Sequence, residues 1–173
     1  VADDGESGDE MDDPTKTALV ASLDHQRNHV LGILEGLDDA QLRAPALPSG
    51  WSCLGLVRHL TLDVEQYWFG CIVGGAPLNT DEAEDATASW QVSASEGPSQ
   101  VFASYREAIE ASNAVIAATP LDAPPQQRDQ WWGEWRVPDH RFVLLHVITE
   151  TACHAGHLDA ARELADGRQW ITL

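Results

Sequence analysis

"DHRFVLLHVITETACHAGHLDAARELAD", residues 139–166, is the stretch on which the fold turns. Val143, Leu144, Val147 and Ile148 recur at helical spacing, and the run stops at Gly167, so it reads as one long helix with a buried side. His146, Glu150 and His154 stand four residues apart, so they form a single stripe on that helix, with His157 continuing it. A polar stripe on a mostly buried helix costs free energy unless it is satisfied. Two readings follow: a metal site, or a hydrophilic helix face rich in histidine.

Upstream, "TKTALVASLDHQRNHVLGILEGL" (15–37) places Leu19, Leu23, Val30, Ile33, Leu34 and Leu37 at helical intervals, ending by Gly36. The prolines of "DDAQLRAPALPSGW" stop it. A second helix starts after Ser49 or Ser52, runs through "CLGLVRHLTLDVEQYWFGCIVG" and closes at Gly74 and Gly75. "APLNTDEAEDATASWQVSASEGPSQ" reads as a long loop. A third helix follows from about Ser99 to Ala118, with Val101, Tyr105, Ala108, Ile109 and Ile116 as its apolar stripe. "LDAPPQQRDQWWGEWRVPD" is a second long connection, carrying Trp131, Trp132 and Trp135. Four helices without an alternating strand pattern predict an all-α four-helix bundle with two long connecting loops.

Composition sets limits. The chain has 173 residues, 43% of them hydrophobic, which fits a single globular domain. Residues 1–14, "VADDGESGDEMDDP", are dense in acid, carry no base and lack apolar periodicity, and are expected to form a disordered arm outside a domain of residues 15–173. Met11 marks a candidate internal start, with residues 1–10 an extension. The net charge of −18 and ten scattered Lys and Arg leave no basic stripe for phosphates, which argues against a nucleic-acid partner. No apolar run approaches the ~20 residues that span a bilayer. Cys53, Cys71 and Cys153 are odd in number and far apart, so a disulfide framework is a poor reading and the cytoplasm is the expected compartment.

His59, in "GLVRHLTLDVEQYW", lies among Leu56, Leu60, Val64 and Trp68, and is expected to point inward. Alone it reads as a hydrogen-bonded core histidine, and the Glu-x-x-x-His pair alone adds little. Together, His59, Glu150 and His154 make a set of two histidines and one carboxylate from two helices. Such a set leaves room for an open coordination position and suits Zn²⁺, Fe²⁺ or Ni²⁺. Spacing alone leaves the metal site and the polar face both standing.

"PALPSGWSCLGLVRHL", "VEQYWF" and "LLHVITETACHAGHLDAARELADG" resemble the DinB-like superfamily over about Leu19 to Gly167. The similarity is strongest to the actinobacterial-type branch of unknown function near the mycothiol-dependent maleylpyruvate isomerases. This resemblance implies an up-down-down-up four-helix bundle holding one divalent metal. Many members use three histidines, but the mycothiol-isomerase branch uses His, Glu and His, the pattern matched by His59, Glu150 and His154. His157 matches a histidine typical of the branch and is expected to orient a ligand or line the pocket; His146 reads equally well as packing. Thr149, Thr151 and Cys153 depart from the acidic, aromatic and basic residues more frequent in relatives, and Cys153 is expected to be a buried small residue.

A divalent ion on such ligands, zinc first and nickel or iron as alternatives, acts as a Lewis acid on a bound water or thiol. The resemblance implies the thiol version: a transferase or isomerase using mycothiol or bacillithiol on a small electrophile. Trp51, Trp132 and Trp135 read either as caps on the bundle end or as an aromatic wall at the site. Arg141, like Arg58 and Arg136, reads as a carboxylate clamp or as solvated surface. Two rivals stand beside thiol transfer. One is a non-catalytic metal-binding or stress-response protein that forms a homodimer through its bundle. The other is a metal-dependent hydrolase, for which no independent general base is evident.

Overall fold

Most of the helices start where the sequence supplies a capping side chain. In the computed structural model, which describes residues 13–78, 87–129 and 132–170, helix α1 (Pro14–Ile33) opens on Asp13, whose carboxylate accepts from the Thr15 N–H at 2.8 Å. Pro14 occupies the first turn, where its missing donor costs nothing. Asp13 and Pro14, placed in the expected arm by the sequence reading, start this helix, and residues 1–12 lie outside the described part. The helix ends four residues before the expected Leu37, in a turn where Gly36 takes φ 83°. Leu34 and Leu37 are buried all the same.

A short helix that the sequence reading passed over, α2 (Asp39–Arg43), follows. Asp38 accepts from the Gln41 N–H at 2.8 Å, and the Gln41 amide returns to the Asp38 N–H at 3.0 Å, forming a capping box. Helix α3 (Cys53–His59) starts on Ser52, whose hydroxyl accepts from the Gly55 N–H at 3.1 Å. It then continues without a break from Leu60 to Val73 in π-helical winding, where a uniform α-helix was expected. The last such turn is closed by the Gly74 N–H on the Phe69 carbonyl at 2.8 Å. Winding of this kind is rare and gathers at functional sites. Here it begins one residue after His59.

Helix α4 (Pro98–Ala118) and helix α5 (His140–Asp166) fall within a residue of their expected bounds. Asp139 caps α5 through the Phe142 N–H at 2.9 Å, and Gly167, at φ 78°, ends it. No strand occurs among the described residues; one isolated bridge pairs Pro45 with Ser52. No described helix is long and apolar enough to cross a membrane.

Helix α1 packs chiefly on α5, and the π segment packs on α4 and α5. Leu23, Leu54, Val57, Leu60, Phe69, Val143, Leu144, Val147 and Leu158 interlock with no more than a trace of exposure. Each contributes roughly 1.5–3 kcal/mol by leaving water. One ion pair lies inside this core. The Arg27 Nε and Nη2 donate to Glu65 Oε1 and Oε2 at 2.8 and 2.7 Å, joining α1 to the π segment. Arg27 Nη1 also donates to Asp24 and Asn113, so each nitrogen of the guanidinium has a partner. Arg162, also buried, donates to the Ile33 and Glu35 carbonyls at the end of α1 and to Asp166 on its own helix.

Candidate metal centre

His59 is the last residue of α3, and Glu150 and His154 lie one turn apart on α5, which packs across the π segment. The structure brings the three together. One donor atom from each lies within 4.8 Å of the other two. Among the described residues this is the one His, Cys and carboxylate cluster with that geometry.

The His59 Nδ1 is 2.7 Å from Asp63 Oδ2, so the imidazole donates there and presents Nε2 to the centre. That Nε2 is 3.6 Å from Glu150 Oε1, and the His154 ring stands edge-on to His59 at 4.9 Å. His154 Nδ1 and Glu150 Oε2 are buried without a hydrogen-bond partner. His146 Nε2 comes within 3.0 Å of that Oε2 but too far off line to satisfy it. Buried polar atoms are nearly always paired, so an unpartnered His154 Nδ1 beside a Glu150 oxygen reached only by the ion contact from His146 fits an occupant. A divalent cation supplies one, and the donor set of nitrogen and carboxylate oxygen fits it.

The electrostatics agree. Burial works against ionisation of Glu150, but His146 and His59 outweigh it and bring the carboxyl down to about 2. Burial, aided by the neighbouring His59 and His157, lowers His154 to about 4, so it is neutral at pH 7, as a ligand must be. His59 is raised: burial opposes its charge, but Asp63 and Glu150 favour it more, so a metal there competes with a proton.

Two aromatic groups flank the centre. On one side Trp68 lies 4.4 Å from the His146 ring and stacks at 5.7 Å on Trp132. Trp135 meets Trp132 edge-on at 5.0 Å. Trp132 is fixed: its Nε1 donates to the Tyr67 hydroxyl, which donates to Asp129. These tryptophans thus reach the ligands through His146 rather than directly, while Trp131 lies outside the described residues. On the other side His157, which is exposed, sits 5.6 Å from the His154 ring and 6.1 Å from Trp51.

Other expectations change. Cys153 is exposed, not buried. The buried stripe of α5 runs through Thr151 and Ala155, and Cys153, two residues from each, points to the opposite side. Arg58 is engaged by Glu96, and Arg136 by the Gly133 and Trp135 carbonyls, so neither is a ready carboxylate clamp. Arg141 is exposed in the first turn of α5, nine residues before Glu150, or about 13 Å along the axis.

Two residues of the centre went unmarked in the sequence. Asp63 had a signal, since it stands four residues after His59. Trp90 had none of its own. It arrives on a 3₁₀ turn (Ala88–Trp90) and stacks flat on His59, with centroids 4.1 Å apart and planes 15° apart.

The mycothiol-S-transferase family model matches residues 18–167. The chain belongs to that family. This bears out the DinB-like resemblance drawn from the two ligand-bearing blocks. No functionally curated protein matches the chain. Within this family member, the match spans all three candidate ligands and both aromatic groups.

Proposed function

We propose that this chain joins mycothiol, through its thiol sulfur, to a small electrophile at a divalent metal, zinc for preference, held by His59, Glu150 and His154. The observation that carries the reading is the meeting of those three side chains, with orphaned buried donor atoms, in a member of the mycothiol-S-transferase family. The helices are read as an up-down-down-up four-helix bundle of α1, α3 with its π continuation, α4 and α5.

A bound divalent ion supplies Lewis acidity, which favours the thiolate of a bound thiol near neutral pH. The protein's own residues do the rest. Asp63 accepts the hydrogen bond of the His59 Nδ1–H and so fixes the ring with Nε2 toward the centre. The low proton affinity of Glu150 and His154 keeps both free to ligate at neutral pH. The wall of Trp68, Trp132 and Trp135, anchored through Tyr67 and Asp129, offers apolar area for the electrophile and keeps water away from that side.

The test is thiol conjugation. Metal-loaded protein is incubated with monochlorobimane and mycothiol, bacillithiol or glutathione in turn. Conjugation above the uncatalysed rate with mycothiol, lost in Glu150→Ala, supports the proposal. If no thiol is consumed and none perturbs the spectrum of the Co²⁺-substituted protein, thiol transfer is wrong.

A further inference from the structure

Trp90 is separated from His59 by a long connection, yet its indole stacks flat against one face of the His59 ring. It also meets His154 nearly edge-on at 5.8 Å, so it touches two of the three proposed ligands. The segment that carries it is held down. Arg58 Nη1 donates to both carboxylate oxygens of Glu96, at 3.3 and 3.1 Å, and Arg43 donates to the Ser93 and Glu96 carbonyls. Beneath it, Gly55 leaves the space in which the backbone lies: a Cβ there would stand 2.3 Å from the Trp90 carbonyl oxygen. Two arginine tethers and a glycine gap are more than an unattached loop requires.

We propose that Trp90 is a positioning residue of the metal centre, a fixed strap that locks the plane of His59 and keeps water off that face. Asp63 already holds the ring through an in-plane hydrogen bond. A flat stack on the ring face removes the remaining freedom, tilting about that bond. A ligand ring held both ways loses little entropy on binding metal and swings away from it slowly. With its indole against His59 and its edge toward His154, Trp90 also bars solvent from the side of the centre that these two rings share. This inference rests on the three residues binding a metal, but not on any thiol or acceptor.

The experiment uses Co²⁺ alone, on the full chain, with wild type, Trp90→Ala and Trp90→Phe compared. The visible absorption reports coordination number, and release to excess chelator reports how firmly the ion is held. Trp90→Ala is expected to release Co²⁺ roughly tenfold faster, the lower end of what loss of a supporting contact costs. Its visible band should weaken as water adds to the ion. Trp90→Phe, which keeps a ring on the imidazole, should return both toward wild type. Unchanged spectrum and release in Trp90→Ala overturns the proposal and leaves the metal site standing. Equal loss in both variants, together with a lower melting temperature, shows a merely structural role and overturns it too. Failure of the wild type to take up Co²⁺ removes the metal site itself, and this inference with it.

Discussion

Asp63 Oδ2 lies 2.7 Å from His59 Nδ1, across the point where α-helical winding gives way to π. The pair would make the histidine a directed ligand in the proposed centre, since the nitrogen bonded to the carboxylate cannot also face a metal. Asp63→Ala is expected to weaken metal binding by about 10–100-fold. Asp63 is half exposed, so the far-ultraviolet circular dichroism should stay at its wild-type value. Competition with a chelator of known affinity measures the change, and wild-type affinity in the variant would show the contact to be incidental.

The three proposed ligands make a sharper prediction. His59→Ala, Glu150→Ala and His154→Ala should each bring metal content, read by elemental analysis after dialysis, well below one ion per chain. A variant that keeps its full complement removes that residue from the set.

The Arg27–Glu65 pair is shut inside the core, with both side chains almost wholly buried. Glu65→Ala leaves the guanidinium charged and without its main partner, and should cost about 3–5 kcal/mol in urea unfolding. Replacing both with apolar residues of similar volume, Arg27→Met with Glu65→Leu, should cost much less. A double variant as unstable as the single one would contradict this.

His140 gives the pH prediction. Its Nδ1 donates to the Thr119 carbonyl at 3.2 Å, and its Nε2 is buried without a partner. Burial lowers its pKa, with a small further push from Lys16; the Thr119 and Pro120 carbonyls and Asp139 oppose this without reversing it. The folded state therefore binds this proton less readily than the unfolded chain, whose value is about 6.5. The stability it contributes is present above that value and is lost as pH falls through it toward the lower folded pKa. Between pH 7 and 5 the urea midpoint of the wild type should drop more steeply than that of His140→Gln. Parallel slopes would assign the effect elsewhere.

Deleting residues 1–10 is expected to leave the melting temperature within about a degree, because an acidic arm without apolar residues in helical register buries little. Helix α1 keeps its own cap, Asp13, in the shortened chain. A drop of several degrees would show that the arm packs.

The proposed ligands were legible because helical periodicity is local. Four-residue spacing puts Glu150 and His154 on one face, and apolar neighbours turn His59 inward, wherever the helices finally lie. The Asp38–Gln41 box and the His59–Asp63 spacing were equally local and went unread. Trp90 is different. Its place depends on a connection folding back across α3, a tertiary event that leaves no period in the sequence, although Gly55 makes room for it. The π winding after His59 is likewise silent, since its residues carry the same apolar spacing an α-helix would. Cys153 was misplaced because the buried stripe of α5 runs through Thr151 and Ala155, two residues to either side of it, which turns it outward.

Helix α1 finds its main partner in α5, and Arg162 of α5 holds the two carbonyls at the end of α1. These contacts join segments well over a hundred residues apart, the kind of pairing that forms late because a long loop must close first. On the ribosome, then, α1 emerges well before α5, its main partner, and Glu150 and His154 arrive only with α5. A nascent or prematurely terminated chain holds His59 and Asp63 but no second ligand. The proposed centre is thus completed by the same docking of α5 that covers α1, which ties its assembly to the closing of the core.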